Sequence, residues 1–247
     1  MIDLALPSRK NEAFRYSDIK ALSAAPVRDA VERVTVAAGA NFSRQIINVA
    51  GVDEVVVQNL TLTVEAGAKA AIYILNAGGR LGRIVIDVTL HDGADFSLGA
   101  VQLGSGKQTV ELITTVRHIE PSATSRQTVR SVLGVNATGS YLGKVAVARG
   151  AQKTDSVQSV KAILLDRTAT ANAKPELEIY ADDVKCAHGA AVGELDKDAM
   201  FYLAARGLPP AEAKKLLLQA FIASVFAGAE REEALTQAAL DKLEAMV

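Results

Sequence analysis

The five-residue stretch VAAGA, residues 36–40, recurs along the chain at nearly constant spacing. Its pattern is an apolar β-former, two variable positions and a small pair. The later copies are VEAGA (64–68), LHDGA (90–94), IEPSA (119–123) and VARGA (147–151), with a looser sixth copy, YADDV (180–184). The final residues of successive copies lie 28, 26, 29, 28 and 33 residues apart. A period in this range indicates a repeat architecture.

Short runs of strand character lie between these copies. LTLTV (60–64) and IVIDVTL (84–90), for example, place large apolar residues at every second position, as a strand with one inward face requires. No segment between residues 39 and 195 sustains a helical apolar period for three turns, so the repeat unit contains only β-structure. A unit of two or three short strands cannot bury its apolar face alone, whereas stacked units share a continuous core.

The sequence therefore predicts a mainly β fold, a right-handed parallel β-helix with coils of about 28 residues. Glycine supplies the corner conformation, and the small residue beside it lets neighbouring coils approach. We expect the five alanines that end the clear copies to align in space. The predicted organisation is an N-terminal segment (1–36), a β-helix core (37–195) and a small C-terminal helical region (196–247).

Three helices are predicted in the C-terminal region. Asp196 is an N-cap candidate for a first helix over 197–206, which Gly207 and the following prolines end. A second helix over 210–226 is apolar around most of its circumference, about twice the arc that docking on one surface uses. The surplus indicates a second packing surface, and a third helix follows at 230–246. The predicted partner-binding residues of the second helix are Leu218, Ile222, Val225 and Phe226.

Composition excludes several classes of partner. Lys and Arg number 27 against 28 Asp and Glu, so no net field attracts nucleic acid or an anionic membrane. The single cysteine, Cys186, indicates a reducing compartment. The N-terminus does not resemble a signal peptide, and the most apolar stretch, 216–229, is too short to span a bilayer. We expect a cytoplasmic protein.

The segment KCAH, residues 185–188, contains the candidate metal ligands. Cys186 and His188 lie two apart on a predicted strand, so they project from one face and could hold a single iron or other soft metal. Only His91 and His118 remain as further histidines, and a closed zinc site is not expected. Alternation favours the interpretation that these two side chains lie on the inward face of a last rung, with an inert core thiol. A site shared with another subunit is the alternative.

The sequence gives less support to other functions. A polysaccharide-active or acyl-transfer enzyme on a β-helix would need clustered acidic and basic groups or a six-residue repeat, and neither is visible. The glycine stretches NAGGRLG (76–82) and QLGSGKQ (102–108) lack the phosphate-loop arrangement and are predicted to be turns. A purely structural homodimer is the remaining alternative.

Several stretches resemble one family. KPELEIYADDVKCAHGAAVGELD (174–196) followed by FYLAARGL (201–208) is similar to the signature of the SufB/SufD family, and LPSRKNEAFRYSDI (6–19) resembles its N-terminal motif. The region before residue 6 is shorter than in many members. The resemblance implies a non-enzymatic scaffold in iron–sulfur cluster assembly by the SUF system.

The HGA turn at residues 188–190 favours the family branch whose members pair with SufB. That resemblance implies pairing with SufB through the end of the β-helix and binding of the ATPase SufC by the C-terminal helices. It also implies that His188, with Cys186 as a neighbouring metal contact, helps to hold a nascent cluster at the SufB interface. The cluster is transient, and no cofactor is expected to stay bound to the isolated chain.

Overall fold

The computed structural model describes residues 8–23, 25 and 30–246, in which twelve strands form two parallel sheets. Sheet A contains, in spatial order, β1 (Glu32–Val36), β3 (Val55–Val64), β5 (Leu81–Leu90), β7 (Thr109–His118), β9 (Thr138–Val147) and β11 (Thr170–Ile179). Sheet B contains, in spatial order, β2 (Asn41–Asn48), β4 (Lys69–Asn76), β6 (Asp95–Gly104), β8 (Thr124–Leu133), β10 (Asp155–Leu164) and β12 (Lys185–Gly193).

One strand of sheet A and the next strand of sheet B make one coil, and six coils of about 29 residues stack along the molecule. Each strand from β1 to β10 pairs in parallel with the strand two places later in the chain. The predicted parallel β-helix is therefore confirmed, with two strands in each coil. β1 lies within the predicted N-terminal segment, so the boundary at residue 36 is wrong by one strand. Glu32–Val36 alternates like the other strands and pairs in register with β3.

Four of the predicted corner alanines stack directly. Each immediately precedes the first residue of a sheet B strand, and those first residues are register partners; the four are Ala40, Ala68, Ala94 and Ala123. The residue before each adopts a left-handed φ, from +61° at Gly93 to +68° at Gly39, and Ser122 takes the same conformation at +61°. The glycine of the repeat is therefore explained by backbone geometry.

The fifth predicted corner is wrong by three residues. β10 begins at Asp155, so Thr154 occupies the position that stacks on Ala123, and Lys153 has the left-handed φ of +62°. Ala151 closes an additional turn and is buried, but it does not continue the column of corner alanines. The last copy, ending at Val184, returns to register because the backbone N–H of Lys185 bonds the Thr154 carbonyl at 2.8 Å.

Both glycine stretches are turns, as predicted. NAGGRLG connects β4 to β5 and QLGSGKQ connects β6 to β7, with left-handed φ values at Gly79 and Gly106. The two turns lie side by side, and the Gln108 side-chain amide donates to the Gly79 carbonyl at 3.1 Å.

The outer face of sheet B is covered by C-terminal helices. Helix α2 (Lys197–Ala205) has no buried residue, whereas α3 (Pro210–Ile222) and α4 (Glu232–Glu244) pack on the sheet. Their apolar side chains meet a strip on sheet B made of Tyr73, Leu75, Ala77, Val101, Leu103 and Val132. β4 and β6 are consequently apolar on both faces, as strands buried on two sides are. The Asp196 carboxylate caps α2, as predicted, by accepting from the amides of Asp198 and Ala199.

Residues 8–23 lie on the outer face of sheet A. A short 3-10 helix (Glu12–Phe14) and helix α1 (Ile19–Ser23) place Phe14 and Leu22 against Leu81. The first two residues of the predicted N-terminal motif, LPSRKNEAFRYSDI, lie outside the described residues.

Candidate functional site

The β-helix ends in a coil with two outer edges. β11 and β12 are the terminal strands of sheets A and B, and no strand of the described residues pairs with their far sides. Along β12, the Lys185 N–H bonds β10, so by strand alternation the N–H groups of residues 186, 188, 190 and 192 point toward the free edge. We call this end of the β-helix, formed by residues 170–193, the open end.

The two edges of the open end differ. Along β11, the N–H groups of Thr170 and Tyr180 bond carbonyls next to or within β9. By strand alternation, the backbone N–H at position 175 would point to the free edge. Pro175 has no N–H, so this edge lacks a hydrogen-bond donor there. A proline at this place interrupts edge pairing without weakening the ladder behind it. The edge of β12 has no such interruption.

Cys186 lies on the interior side of β12. It packs with Val184 against the interior cluster, it is half-buried, and its register partner is Ser156. Burial raises the pKa of the Cys186 thiol. The predicted inward direction of this side chain is therefore found, but with partial rather than complete burial.

His188 has the same strand parity as Cys186 and its register partner is Gln158. It is nevertheless exposed, because the last coil has no further coil stacked on it. The alternative in which His188 is a shielded core residue is wrong for this reason. Both side chains lie at the open end, and one of them is accessible to a partner.

The described residues of the open end do not supply a complete ligand set. No group of three or more His, Cys, Asp or Glu residues in the described part of the chain is arranged to hold a metal ion. His91 lies at a distant corner, where its Nδ1 is 3.2 Å from a Glu120 carboxylate oxygen, and His118 is buried inside the β-helix. An iron ion at Cys186 and His188 would need its remaining ligands from another molecule.

A polar network fills the β-helix interior beside the open end, and sequence reasoning missed it. Its members, which we call the interior network, are Thr114, Gln127, Tyr141 and Gln158. The Thr114 hydroxyl donates to Gln127 Oε1 at 2.9 Å, and the Gln158 amide donates to the Tyr141 hydroxyl at 3.1 Å. Complete burial raises the pKa of Tyr141 to about 12. Strand alternation in the sequence could have indicated this network, because Gln127 lies on the same face of β8 as inward-facing Val129.

A second polar column leads toward Cys186. The His118 ring nitrogen Nε2 lies 3.0 Å from the Ser125 hydroxyl, which lies 2.8 Å from the Ser156 hydroxyl. Ser156 is the register partner of Cys186. Burial lowers the pKa of His118 to about 4, so this imidazole is neutral at physiological pH.

The predicted partner-binding residues are not at the surface. Leu218, Ile222, Val225 and Phe226 are all buried against the outer face of sheet B. α3 ends at Ile222, earlier than predicted, and the following turn directs Val225 and Phe226 inward. The prediction that Ile222 and Phe226 face outward is therefore wrong, because the sheet and α4 together use most of the apolar arc of α3.

Exposed apolar side chains lie elsewhere in the helical region. Phe201 is 76% exposed and Tyr202 is 57% exposed on α2, and Leu216 is 46% exposed on α3. α2 contacts α3 and has no buried residue of its own. We call these three residues the α2–α3 apolar surface.

The fold and the open end define a parallel β-helix protein with two potential iron ligands at one end and a helical layer on one face. Residues 10–221 match the family described as SUF system FeS cluster assembly, SufBD core domain. The chain belongs to this family. The family match confirms the resemblance predicted from the KPELEI, KCAHGA and FYLAARG stretches.

Curated relatives agree with the predicted branch. The chain is 36% identical over 130 residues to the iron–sulfur cluster assembly protein SufD of Escherichia coli, covering 53% of this chain and 30% of that protein. It is 31% identical over 134 residues to SufD of Bacillus subtilis, covering 54% and 31%. It is 34% identical over 159 residues to the chloroplastic protein ABCI7 of Arabidopsis thaliana, covering 64% and 34%. The chain thus spans about a third of the length of these relatives. None of its described helices is long and apolar enough to cross a membrane.

Proposed function

We propose that this chain is a non-enzymatic scaffold subunit of the SUF complex that pairs with SufB, binds SufC and helps to hold a nascent iron–sulfur cluster at the SufB interface. The observation that carries the proposal is the open end, where an unpaired parallel edge adjoins Cys186 and exposed His188. A scaffold with half of a ligand set at an unpaired edge needs a second subunit to complete the site. Family membership supports the assembly role. The cytoplasmic location stays a prediction.

Pairing with SufB uses the edge of β12. This edge offers the N–H groups of alternate residues without interruption, whereas Pro175 breaks the edge of β11. An unpaired strand edge binds another strand through main-chain hydrogen bonds. The side chains of Cys186 and His188 lie on the strand that would then meet the partner, which places both ligands at the subunit boundary.

Binding of SufC uses the α2–α3 apolar surface. Phe201 and Tyr202 are aromatic and exposed, and aromatic side chains are enriched among the residues that dominate binding energy. None of the residues of α2 is buried, so a partner can engage it without disturbing the core. The four residues first predicted for this role support the helical layer from beneath.

The cluster is a cargo that the chain holds with another subunit. A neutral imidazole and a thiolate are both ligands for iron in proteins. Because the described residues do not gather three or more ligands at the open end, SufB supplies the others. Release to an acceptor protein is consistent with a site that is split between two subunits.

Co-expression with SufB and SufC from the same cell, followed by affinity purification of this chain, tests the proposal. We expect a complex that contains all three proteins and that acquires the visible absorption of an iron–sulfur cluster after anaerobic reconstitution. Recovery of this chain only with itself would support the structural homodimer. Turnover of a polysaccharide or an acyl donor by the purified chain would support an enzyme instead.

A further inference from the structure

Gln158 has an unused acceptor at the base of the open end. Its side chain is 1% exposed, and its amide nitrogen donates to the Tyr141 hydroxyl at 3.1 Å. Its carbonyl oxygen, Oε1, has no hydrogen-bond partner among the described residues. A buried acceptor without a partner is costly, so such groups in native proteins commonly serve a further contact.

The interior network determines which way the Gln158 amide points. A phenol has one proton, and the Tyr141 hydroxyl lies 3.2 Å from Gln127 Oε1 and 3.0 Å from the Thr114 hydroxyl, either of which can accept that proton. In the structure Tyr141 accepts from Gln158, which presents its NH2 group to the phenol, and this arrangement leaves the phenol proton for Gln127 or Thr114. This orientation leaves Oε1 as the free atom of the amide.

The neighbour of Gln158 in the last coil is His188. The two residues are register partners in β10 and β12, and strand alternation places both side chains on the interior side of sheet B. Register partners on adjacent strands are about 4.8 Å apart, which is within reach of a hydrogen bond between two long polar side chains. The ring nitrogen Nδ1 is nearer the backbone than Nε2, so we take Nδ1 as the nitrogen that turns toward this neighbour.

We propose that Gln158 is a positioning residue, whose Oε1 accepts a hydrogen bond from Nδ1–H of His188 and leaves Nε2 free to ligate iron beyond the open end. A hydrogen bond from one ring nitrogen selects the tautomer and orients the ring, which is how second-shell groups tune histidine ligands. The iron-binding consequence rests on the proposed function. The structure does not contain this hydrogen bond; it forms when the exposed His188 ring turns about its side-chain torsions toward Gln158. It requires no second subunit, so the isolated chain can make it.

Nuclear magnetic resonance of the isolated full chain, labelled at histidine nitrogens and recorded at about pH 8, where imidazole is neutral, tests the hydrogen bond. Long-range ¹H–¹⁵N correlations report which ring nitrogen carries the proton. We expect His188 to be mainly the Nδ1–H tautomer in the wild type and mainly the Nε2–H tautomer in Gln158→Met. The matched control is Gln102→Met, which makes the same change at a buried glutamine of β6 outside the interior network and should leave the His188 tautomer unchanged.

A wild-type His188 that is mainly Nε2–H would overturn the proposal, and so would an identical tautomer ratio in a folded Gln158→Met protein. If Gln158→Met does not fold, the wild-type tautomer alone decides. Cluster assembly in cells separates this proposal from the function on which it rests. Normal assembly by His188→Ala would refute the ligand role of His188. It would not affect the result for the hydrogen bond, which the wild-type tautomer decides.

Discussion

The Arg83 guanidinium and the Glu111 carboxylate form a buried ion pair at 2.6 Å on the outer face of sheet A. The Ser17 hydroxyl donates to the same carboxylate oxygen at 2.8 Å, and the Phe14 ring lies 4.6 Å from the guanidinium carbon. Residues of the N-terminal segment therefore exclude water from the pair. This contact, together with the packing of Phe14 and Leu22 on Leu81, holds the segment on the outer face of sheet A.

Replacement of one partner of this pair should destabilise the protein strongly. Arg83→Met leaves the Glu111 carboxylate buried without its counter-charge, and we expect the free energy of unfolding to fall by about 3–5 kcal/mol. The double variant Arg83→Met/Glu111→Leu should recover most of that loss, because both desolvated charges are gone. Urea unfolding of the three proteins measures the difference, and a single-variant cost below about 1 kcal/mol would contradict the buried geometry.

Stability should depend on pH through His118. Burial lowers the pKa of His118 from its ordinary value of 6.5 to about 4, so below pH 6.5 the unfolded chain binds a proton that the folded chain does not. The stabilisation is complete above about pH 6.5. As the pH falls from about 6.5 to about 4, the free energy of unfolding decreases by about 3 kcal/mol in all. His118→Gln should remove this dependence. Urea unfolding of both proteins across the window measures it, and parallel curves would show that His118 does not contribute.

The α2–α3 apolar surface should bind SufC. Phe201→Glu places a charge at an exposed position, and we expect the Kd for SufC to rise roughly tenfold or more with no change in melting temperature. Val52→Glu is the matched control, since Val52 is 70% exposed at a corner of the β-helix between β2 and β3. Calorimetric titration with SufC measures both. Equal weakening by the two variants would indicate a general charge effect instead of a specific surface.

The free edge of β12 should pair with SufB. Ala190→Pro removes an N–H group that points to this edge, copying the interruption that Pro175 makes in β11, and costs less than about 1 kcal/mol of stability. Ala191→Pro removes an N–H that bonds β10 and should destabilise by about 3 kcal/mol or more. Co-purification with SufB and thermal unfolding distinguish these effects. Undiminished pairing by a folded Ala190→Pro protein would exclude β12 as the pairing strand.

His188 should matter for cluster assembly and not for folding. Because His188 is exposed at the open end, His188→Ala should still fold, and the free energy of unfolding should fall by no more than about 1.5 kcal/mol, the contribution of one hydrogen bond to Gln158. We expect the variant to bind SufB and SufC almost normally and yet fail to restore cluster assembly in cells that lack the native subunit. Cys186→Ser should have a milder defect. Assembly at the wild-type level by a stable His188→Ala protein would remove His188 from the proposed ligand set.

Much of the fold is predictable because each coil repeats the same local requirements. The left-handed corner needs glycine or a tolerated substitute, and the strands need alternating faces, so both leave marks at a constant period. Ala151 shows where this fails. VARGA matches the repeat pattern, but an additional turn places Thr154 instead of Ala151 at the corner position that stacks on Ala123. Only the pairing of β10 with β8 reveals this shift.

The direction of side chains is less predictable where the strands are polar on both faces. In β8 the inward positions include Ser125 and Gln127, so the interior network cannot be distinguished from a solvated face by hydrophobicity. Similarly, the apolar arc of α3 is compatible with an external partner until the position of α4 is known. Burial of Ile222 depends on how α3, α4 and sheet B meet, which no local pattern specifies.

The sequence by itself determined the parallel β-helix, the three C-terminal helices, the family and the pair of potential ligands, because these depend on periodicity and on short motifs. The tertiary structure alone decided that Cys186 is half-buried while His188 is exposed, although both have the same parity. Parity is a local property of one strand, whereas exposure depends on whether another coil is stacked on it. Among the described residues no further coil is stacked on β12, and a position that would be interior in any other coil becomes a surface at which a partner can complete the site.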